Sequence, residues 1–374
     1  MANKVLLKDL LFNKTKVEHI AGEIHRVHTS FQKNEFVRDV VAQFPKLELK
    51  ARISWIAQCL KEYLPNDYKR AVGILIEALP APNNPKLSDD DFGDFIYAPY
   101  AEYVAKNGCS QENLHCSLTA LYEITQRFSV EDAIRSFLNA FPKETLKQLL
   151  LWTQDEHYHV RRLCSEGTRP RLPWSQKINI PVSAALPILD NLFSDKTRFV
   201  TRSVANHLND ISKVDPDLVL DVLMKWQKSG KQRSEEMDYI VRHALRALVK
   251  QGNPKALQLL GFSHTSRVRV SDFVVPTTVK MNTILKFSFS IISEEDAHVL
   301  IDYILSFQNK FGKLSSKKVF KIKKIALKKN QSVFISKSHP LRQFMTTRTL
   351  YAGRHEVELQ INGKKAAKAS FMLT

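Results

Sequence analysis

Apolar residues along this chain keep two different periods, and the change from one to the other divides it. Up to about residue 260 they recur with helical spacing, as in Leu-Lys-Asp-Leu-Leu-Phe (7–12) and Ala-Arg-Ile-Ser-Trp-Ile-Ala-Gln-Cys-Leu (51–60). Between 111 and 260 the pattern also repeats. Val160, Cys164, Gly167 and Thr168 form a stripe at i, i+4, i+7, i+8. Val200, Val204, His207 and Leu208 form it again, as do Ile240, Ala244, Ala247 and Leu248. Arg162, Arg202 and Arg242 keep the same 40-residue step, each seven positions after an acidic residue (Asp155, Asp195, Glu235). A repeat of about 40 residues predicts stacked helix pairs of the HEAT type. Beyond about 265 the period drops to two, over 283–292, 318–325, 332–336 and 356–361. Asn362-Gly363 marks a hairpin turn into a returning strand, 364–373. The expected architecture is mainly α: a HEAT-like helical-repeat solenoid over 1–264, then a β-sandwich over 265–374.

Punctuation and aromatic content refine this picture. Residues 80–91, with three prolines and an acidic run, read as a loop. Phe92, Phe95, Tyr97, Tyr100 and Tyr103 follow at near-helical spacing. They suit a packed core face, with base stacking as the other reading. On the repeat helices, at about 100° per residue, positions 162 and 166 lie opposite the apolar stripe. Arg162/Arg202/Arg242 and Glu166/Asn206/Arg246 therefore form two polar columns, expected to face away from the repeat core and towards a partner.

Charge narrows the partner. The formal net charge is +18, and residues 262–374 hold 20 Lys+Arg against 7 Asp+Glu, which is +13 of it. So uneven an excess favours nucleic acid, with a membrane surface ranked last because no exposed basic amphipathic helix with an aromatic face is evident. Lys317, Lys318, Lys321, Lys323 and Lys324 make one dense strip. They read either as lysines guarding a strand edge or as an electrostatic surface. The four cysteines form no CxxC pair, which suits a reducing compartment. No leader-like start and no apolar run of about 20 residues is seen, so a cytoplasmic protein is expected, with no membrane span. The histidines lack metal spacing, and no phosphate-binding glycine loop is present. Neither a metal nor a nucleotide cofactor is expected.

The densest polar run is Val160-Arg-Arg-Leu-Cys-Ser-Glu-Gly-Thr-Arg-Pro-Arg-Leu-Pro-Trp (160–174). Gly167 suits a helix C-cap, and two prolines hold Arg169, Arg171 and Trp174 in a rigid turn. Arg162 and Glu166 are i,i+4; as a surface pair they would contribute only about 0.3–0.5 kcal/mol. One repeat later, Asn206 and Asp210 share a face, with Lys213 beyond them. One repeat earlier, Ser129 can cap a helix whose first turn holds Glu131, either as a favourable dipole contact or as part of a site.

These runs resemble the AlkC branch of the AlkC/AlkD DNA glycosylases: Thr125–Leu138, His159–Trp174, Ser203–Lys213 and Ala244-Leu-Arg-Ala-Leu-Val-Lys-Gln-Gly-Asn-Pro (244–254). The resemblance extends over nearly the whole chain and makes the sandwich immunoglobulin-like. Cys164 departs from it, standing where a small alanine is expected, but on the core face. The resemblance implies base excision repair. A monofunctional glycosylase would hydrolyse the N-glycosidic bond of cationic alkylated bases in double-stranded DNA: 3-methyladenine, 3-methylcytosine and 1-methyladenine. It also implies that no base-flipping pocket is needed. The chemistry is coherent, since a cationic base leaves readily and the sugar cation then needs negative charge beside it. Glu131, Glu166 and Asp210 would supply that charge, and Trp174 would meet the nucleotide. Arg162, Arg169, Arg171, Asn206, His207, Lys213, Lys317, Lys318, Arg348 and Arg354 would hold DNA. A monomer is expected. The rival reading is a non-catalytic helical-repeat scaffold that binds nucleic acid or protein.

Overall fold

A computed structural model describes residues 6–86, 92–345 and 348–374 of the chain. The helices are Leu7–Leu11 (α1), Lys14–Val27 (α2), Lys33–Gln43 (α3), Leu49–Tyr63 (α4), Tyr68–Ala78 (α5), Ala98–Gly108 (α6), Leu114–Thr125 (α7) and Glu131–Ala140 (α8). They continue as Pro142–Trp152 (α9), Tyr158–Gly167 (α10), Leu186–Leu192 (α11), Arg198–Ile211 (α12), Pro216–Ser229 (α13), Ser234–Ala244 (α14), Arg246–Lys250 (α15) and Pro254–Leu259 (α16). The chain separates into two compact units. One runs through Asp215 and resumes over Asp221–Ala244; the other comprises Pro216–Leu220 and Leu245–Thr374.

In the first unit the second helices of successive repeats pack in series, α10 on α12 and α12 on α14. The apolar stripe explains this. Val160, Cys164, Val200, Val204, Ile240 and Ala244 are fully buried, and each repeat hides its face only against the next. Gly167 does not act as a left-handed C-cap. It is the last residue of α10, and a Cβ there would meet Ile134 Cγ2 at 2.6 Å. Its role is to let α8 and α10 approach closely. Tyr97, Tyr100 and Tyr103 are buried, as core packing requires, whereas Phe92 is half exposed. Residues 80–86 are loop; 87–91 of the expected loop lie outside the described residues.

The second unit holds a two-sheet sandwich. Its strands are Val268–Val274 (β1), Thr278–Val279 (β2), Ile284–Ser293 (β3), Ala297–Gln308 (β4), Leu314–Leu327 (β5), Ser332–Pro340 (β6), Phe344–Met345 (β7), Arg348–Thr349 (β8), Gly353–Ile361 (β9) and Lys364–Leu373 (β10). One sheet has the order β1-β3-β6 and the other β2-β10-β9-β4-β5. Phe287, Phe289 and Ile291 of β3 alternate into a core shared with Tyr303, Leu305, Val357, Leu359 and Phe371. Asn362 and Gly363 take φ of 44° and 79°, the left-handed pair a two-residue hairpin needs.

Period-two alternation passes over β4. Its run from Val299 to Tyr303 is buried on both faces, because the outer face at Leu300 packs on Leu257 and Phe262. A doubly covered strand does not alternate.

Candidate active site

The site grows from the ends of three helices in consecutive repeats. Glu131 opens α8. Arg162 and Glu166 lie on α10, with Arg169 just beyond it. Ser203 and Asp210 lie on α12. Of the two columns expected to face a partner, Arg202, Asn206 and Arg246 are half-buried and Arg242 is exposed, but Arg162 (7% exposed) and Glu166 (5%) are buried, together with Arg169 (9%) and Asp210 (3%). The reason is that neighbouring repeats supply counter-charges, so the groups face one another.

Arg169 is the hinge of the network. Its Nη1 donates to Glu166 Oε1 at 2.6 Å, while Nε and Nη2 both donate to Asp210 Oδ2 at 2.9 and 2.8 Å. Ser203 Oγ donates to Glu166 Oε2 at 2.6 Å, and Lys213 Nζ to Asp210 Oδ1 at 3.0 Å. Both carboxylates are thus fully engaged by charge-assisted bonds. Burial alone would raise the Glu166 pKa. The Arg162 and Arg169 guanidiniums, with the Ser203 hydroxyl, outweigh it and hold the carboxyl below its ordinary value.

Glu131 is held differently. Its side chain is 22% exposed and its nearest cation, Arg162 Nη1, stands at 3.7 Å. Ser129 is not the helix cap that its position suggests: the cap position of α8 is Val130, with no side-chain capping bond. The Ser129 hydroxyl is instead drawn into the site. It donates a short bond to Glu131 Oε2 and accepts from Arg162 Nη1 at 2.7 Å. Arg162 also lies over the Phe199 ring (4.4 Å) and nearer the solvent meets Phe92 (5.4 Å).

The three arginines of the column share a frame but not an environment. Arg162 is buried, Arg202 half-buried beside Phe199 at 5.6 Å, and Arg242 exposed. With its guanidinium committed to the site's own groups, Arg162 is a framework cation rather than a free phosphate ligand. Asn206 does not join the carboxylates; its Oδ1 pairs with His243 Nε2 at 2.8 Å. His207 cannot touch DNA, since it has no exposed surface and its Nδ1 contacts Ser165 O at 3.1 Å. Its place on the apolar stripe already puts it inside.

Arg171 and Trp174 stand exposed on the loop after α10, Trp174 with 88% of its surface free and φ of 68°. Two residues not singled out from sequence fix this loop. Arg135, 1% exposed, donates to Gly167 O (3.1 Å), Arg169 O (2.8 Å) and Gln176 O (2.6 Å). Lys50 of α4 bonds the Trp174 carbonyl and Asp132 Oδ2. Neither carries a sequence signal, because both work through backbone carbonyls or partners far along the chain. Among the described residues no cluster suited to a metal ion is present.

In the sandwich, Lys317, Lys318 and Arg354 are exposed, and β5 is an edge strand. Arg348 is half-buried. Its guanidinium lies 3.8 Å over the Phe307 ring, with Nε and Nη1 buried.

Comparison with known proteins places this geometry. Residues 127–248 match the family model described as DNA alkylation repair enzyme, and 269–374 match the C-terminal Ig-like domain of Uncharacterised protein YhaZ. The Bacillus subtilis protein described as Uncharacterized protein YhaZ is 33% identical over 368 residues, 97% of this chain and 98% of its own. The Pseudomonas fluorescens alkylpurine DNA glycosylase AlkC, solved bound to DNA containing an abasic site analog, superposes with a TM-score of 0.87. It is 32% identical over 99% of this chain and 100% of that one. The chain belongs to the AlkC family of DNA alkylation repair enzymes. The buried network is therefore a feature of an AlkC-type repeat unit, and the sandwich is the Ig-like domain that follows it.

Proposed function

We propose that this chain is a monofunctional DNA glycosylase that hydrolyses the N-glycosidic bond of cationic alkylated bases, 3-methyladenine above all, with 3-methylcytosine and 1-methyladenine as further substrates. The observation that carries the proposal is the unequal pairing of three carboxylates. Glu166 and Asp210 share Arg169 and are saturated by Ser203 and Lys213, whereas Glu131 keeps its nearest cation at 3.7 Å and part of its surface open.

A base that already bears a positive charge leaves without a general acid. The barrier lies in the sugar, where cationic character develops as the bond lengthens. Glu131 has uncommitted charge to set against it and an oxygen to orient water. Glu166 and Asp210 hold Arg162, Arg169 and the loop that presents Arg171 and Trp174. Negative charge fixed in advance needs no reorganisation at the moment of reaction. Arg171 and Lys213 meet the flanking phosphates, and Trp174 the nucleotide. The solved complex of the AlkC relative with abasic-site DNA supports DNA as the partner.

A second reading has its own observation: the closed ion pairs of Glu166 and Asp210 would equally suit a rigid scaffold that binds damage without turnover. Abasic-site formation on DNA carrying 3-methyladenine separates the two. Glu166→Gln and Asp210→Asn are each expected to lose most excision. Full activity in both overturns the assignment, and binding without turnover by the unaltered chain favours the scaffold.

A further inference from the structure

Residues 168–181, which follow α10, form neither helix nor strand, yet most of this loop is tied down. The ties come from one face of α8, where Asp132, Ser136 and Asn139 recur at i, i+4, i+7 beside Arg135. Arg135 Nη1 donates to Gly167 O and Arg169 O, and its Nε to Gln176 O at 2.6 Å. Gln176 Nε2 donates to Ser136 Oγ at 2.7 Å. Asn139 Nδ2 donates to Lys177 O at 2.9 Å, and its Oδ1 accepts from Asn179 N at 2.9 Å. From Gln176 onward the loop therefore runs along α8 towards the C-terminal end of that helix.

The tip, 170–175, lies before these ties. Among the described residues one bond from outside the loop reaches its backbone, from Lys50 Nζ of α4 to Trp174 O. The same Nζ donates to Asp132 Oδ2 at 2.8 Å, in the first turn of α8. A carbonyl and a carboxylate are both acceptors and cannot bond each other; an ammonium group with three donors can join them. Lys50 thus closes the position on the α8 face that the loop's own groups leave open. It does so at a strained residue. Trp174 has φ of 68°, in the left-handed region that a bulky side chain rarely enters. Such a conformation persists where its surroundings over-determine it, and it concentrates at functional sites. Here the constraint falls on the carbonyl of the strained residue itself, while its indole stands in the open.

Two features separate this tether from ordinary packing. Its ion pair is open to water, with the Lys50 side chain 56% exposed and that of Asp132 47%, so it adds little to the stability of the fold. Asp132 also adjoins Glu131, the carboxylate whose nearest cation stands at 3.7 Å. A link from Trp174 to Asp132 therefore fixes the indole against the residue next to Glu131.

We propose that Lys50 is a positioning residue for excision: by joining the Trp174 carbonyl to Asp132, it holds the indole at a set place relative to Glu131. In this role Lys50 acts through Trp174 and needs no contact with DNA. The inference rests on the glycosylase reading above and adds to it the residue that presents Trp174.

The test uses the full chain. Lys50→Met removes both bonds and keeps the apolar stem. It is expected to slow single-turnover excision of 3-methyladenine by about tenfold to 100-fold. Its affinity for an undamaged duplex, followed by anisotropy, should change by less than about threefold. In a Trp174→Ala chain, adding Lys50→Met should cost less than about twofold, because a residue acting through Trp174 then has nothing left to place. With 5-fluorotryptophan in the chain, the fluorine resonance that Trp174→Phe removes should shift and narrow in Lys50→Met, while those of Trp55, Trp152 and Trp226 hold. Parental excision by Lys50→Met, or losses that multiply in the double variant, overturn the proposal. So does an affinity loss as large as the rate loss, which would make Lys50 a phosphate ligand. An unaltered chain that excises nothing removes the glycosylase reading instead. The fluorine resonance then still decides whether Lys50 holds Trp174, and an unmoved resonance overturns the tether.

Discussion

The two units use charge in opposite ways. In the helical unit the functional charges are buried and mutually paired: Arg169 alone makes three bonds to two carboxylates, and all three groups are less than 10% exposed. In the sandwich the cations stand outside, many without a counter-charge. A buried, fully bonded charge cannot shift without losing its partners, so it fixes geometry. An exposed cation costs little to place and is screened by salt, so it contributes affinity without fixing geometry. The sequence shows the same residue types in both units; burial decides which work they do.

The largest effect expected from breaking this contrast is in the helical unit. Arg169→Ala leaves Glu166 and Asp210 buried without their shared cation. It should destabilise the fold by about 3–5 kcal/mol, measured by urea unfolding through tryptophan fluorescence, and abolish excision. All four tryptophans (Trp55, Trp152, Trp174, Trp226) precede the sandwich, so the signal reports the helical region. An Arg169→Ala chain as stable as the parent would mean the network is not the rigid element described.

Acid should act on both units alike. Burial and nearby Arg169 lower His207 to about 4. Burial, with Arg348 and Lys337 near, lowers His339 in the sandwich to about 4 as well. Unfolded, each takes a proton below about 6.5, while the folded form refuses it until about 4. Stability is therefore full above pH 6.5 and falls as the pH drops towards 4, by up to about 3 kcal/mol for each group. Unfolding followed between pH 7 and 4 by fluorescence and by β-sheet circular dichroism checks the two separately. A flat profile in either contradicts its buried neutral histidine.

The smallest effect on stability belongs to the edge strand. Lys317→Ser/Lys318→Ser should change unfolding by less than about 0.5 kcal/mol. It should also reduce the slope of DNA affinity against salt by roughly 0.9 for each phosphate left without its lysine. An unchanged slope would leave these lysines as guards of an exposed strand edge.

How far the sequence could carry these conclusions differs by element. The 40-residue register shows the buried stripe and puts Glu166 beside α12, because helix packing repeats faithfully. It cannot separate Arg162 from Arg242, whose frames match. The difference lies in Phe199, Ser129 and Glu131, groups brought in from neighbouring repeats. Ser129 reads as a cap by position, and only the fold reveals that its hydroxyl is claimed by Arg162 and Glu131. Gly167 reads as a terminator, yet the constraint on it is Ile134 across a helix interface. Arg135 leaves no trace in any local pattern, since its three acceptors are backbone carbonyls. In the sandwich, alternation reveals β3, β9 and β10 but misses β4, which is covered on both faces.

The central claim is that Glu131, the carboxylate with the least committed charge, faces the sugar cation while Glu166 and Asp210 hold the frame. Single-turnover abasic-site formation by Glu131→Gln on 3-methyladenine DNA, with unfolding measured on the same protein, tests it most directly. The account predicts excision slowed by about 100- to 1000-fold with stability changed by less than about 1 kcal/mol. Excision within threefold of the parent chain would contradict it.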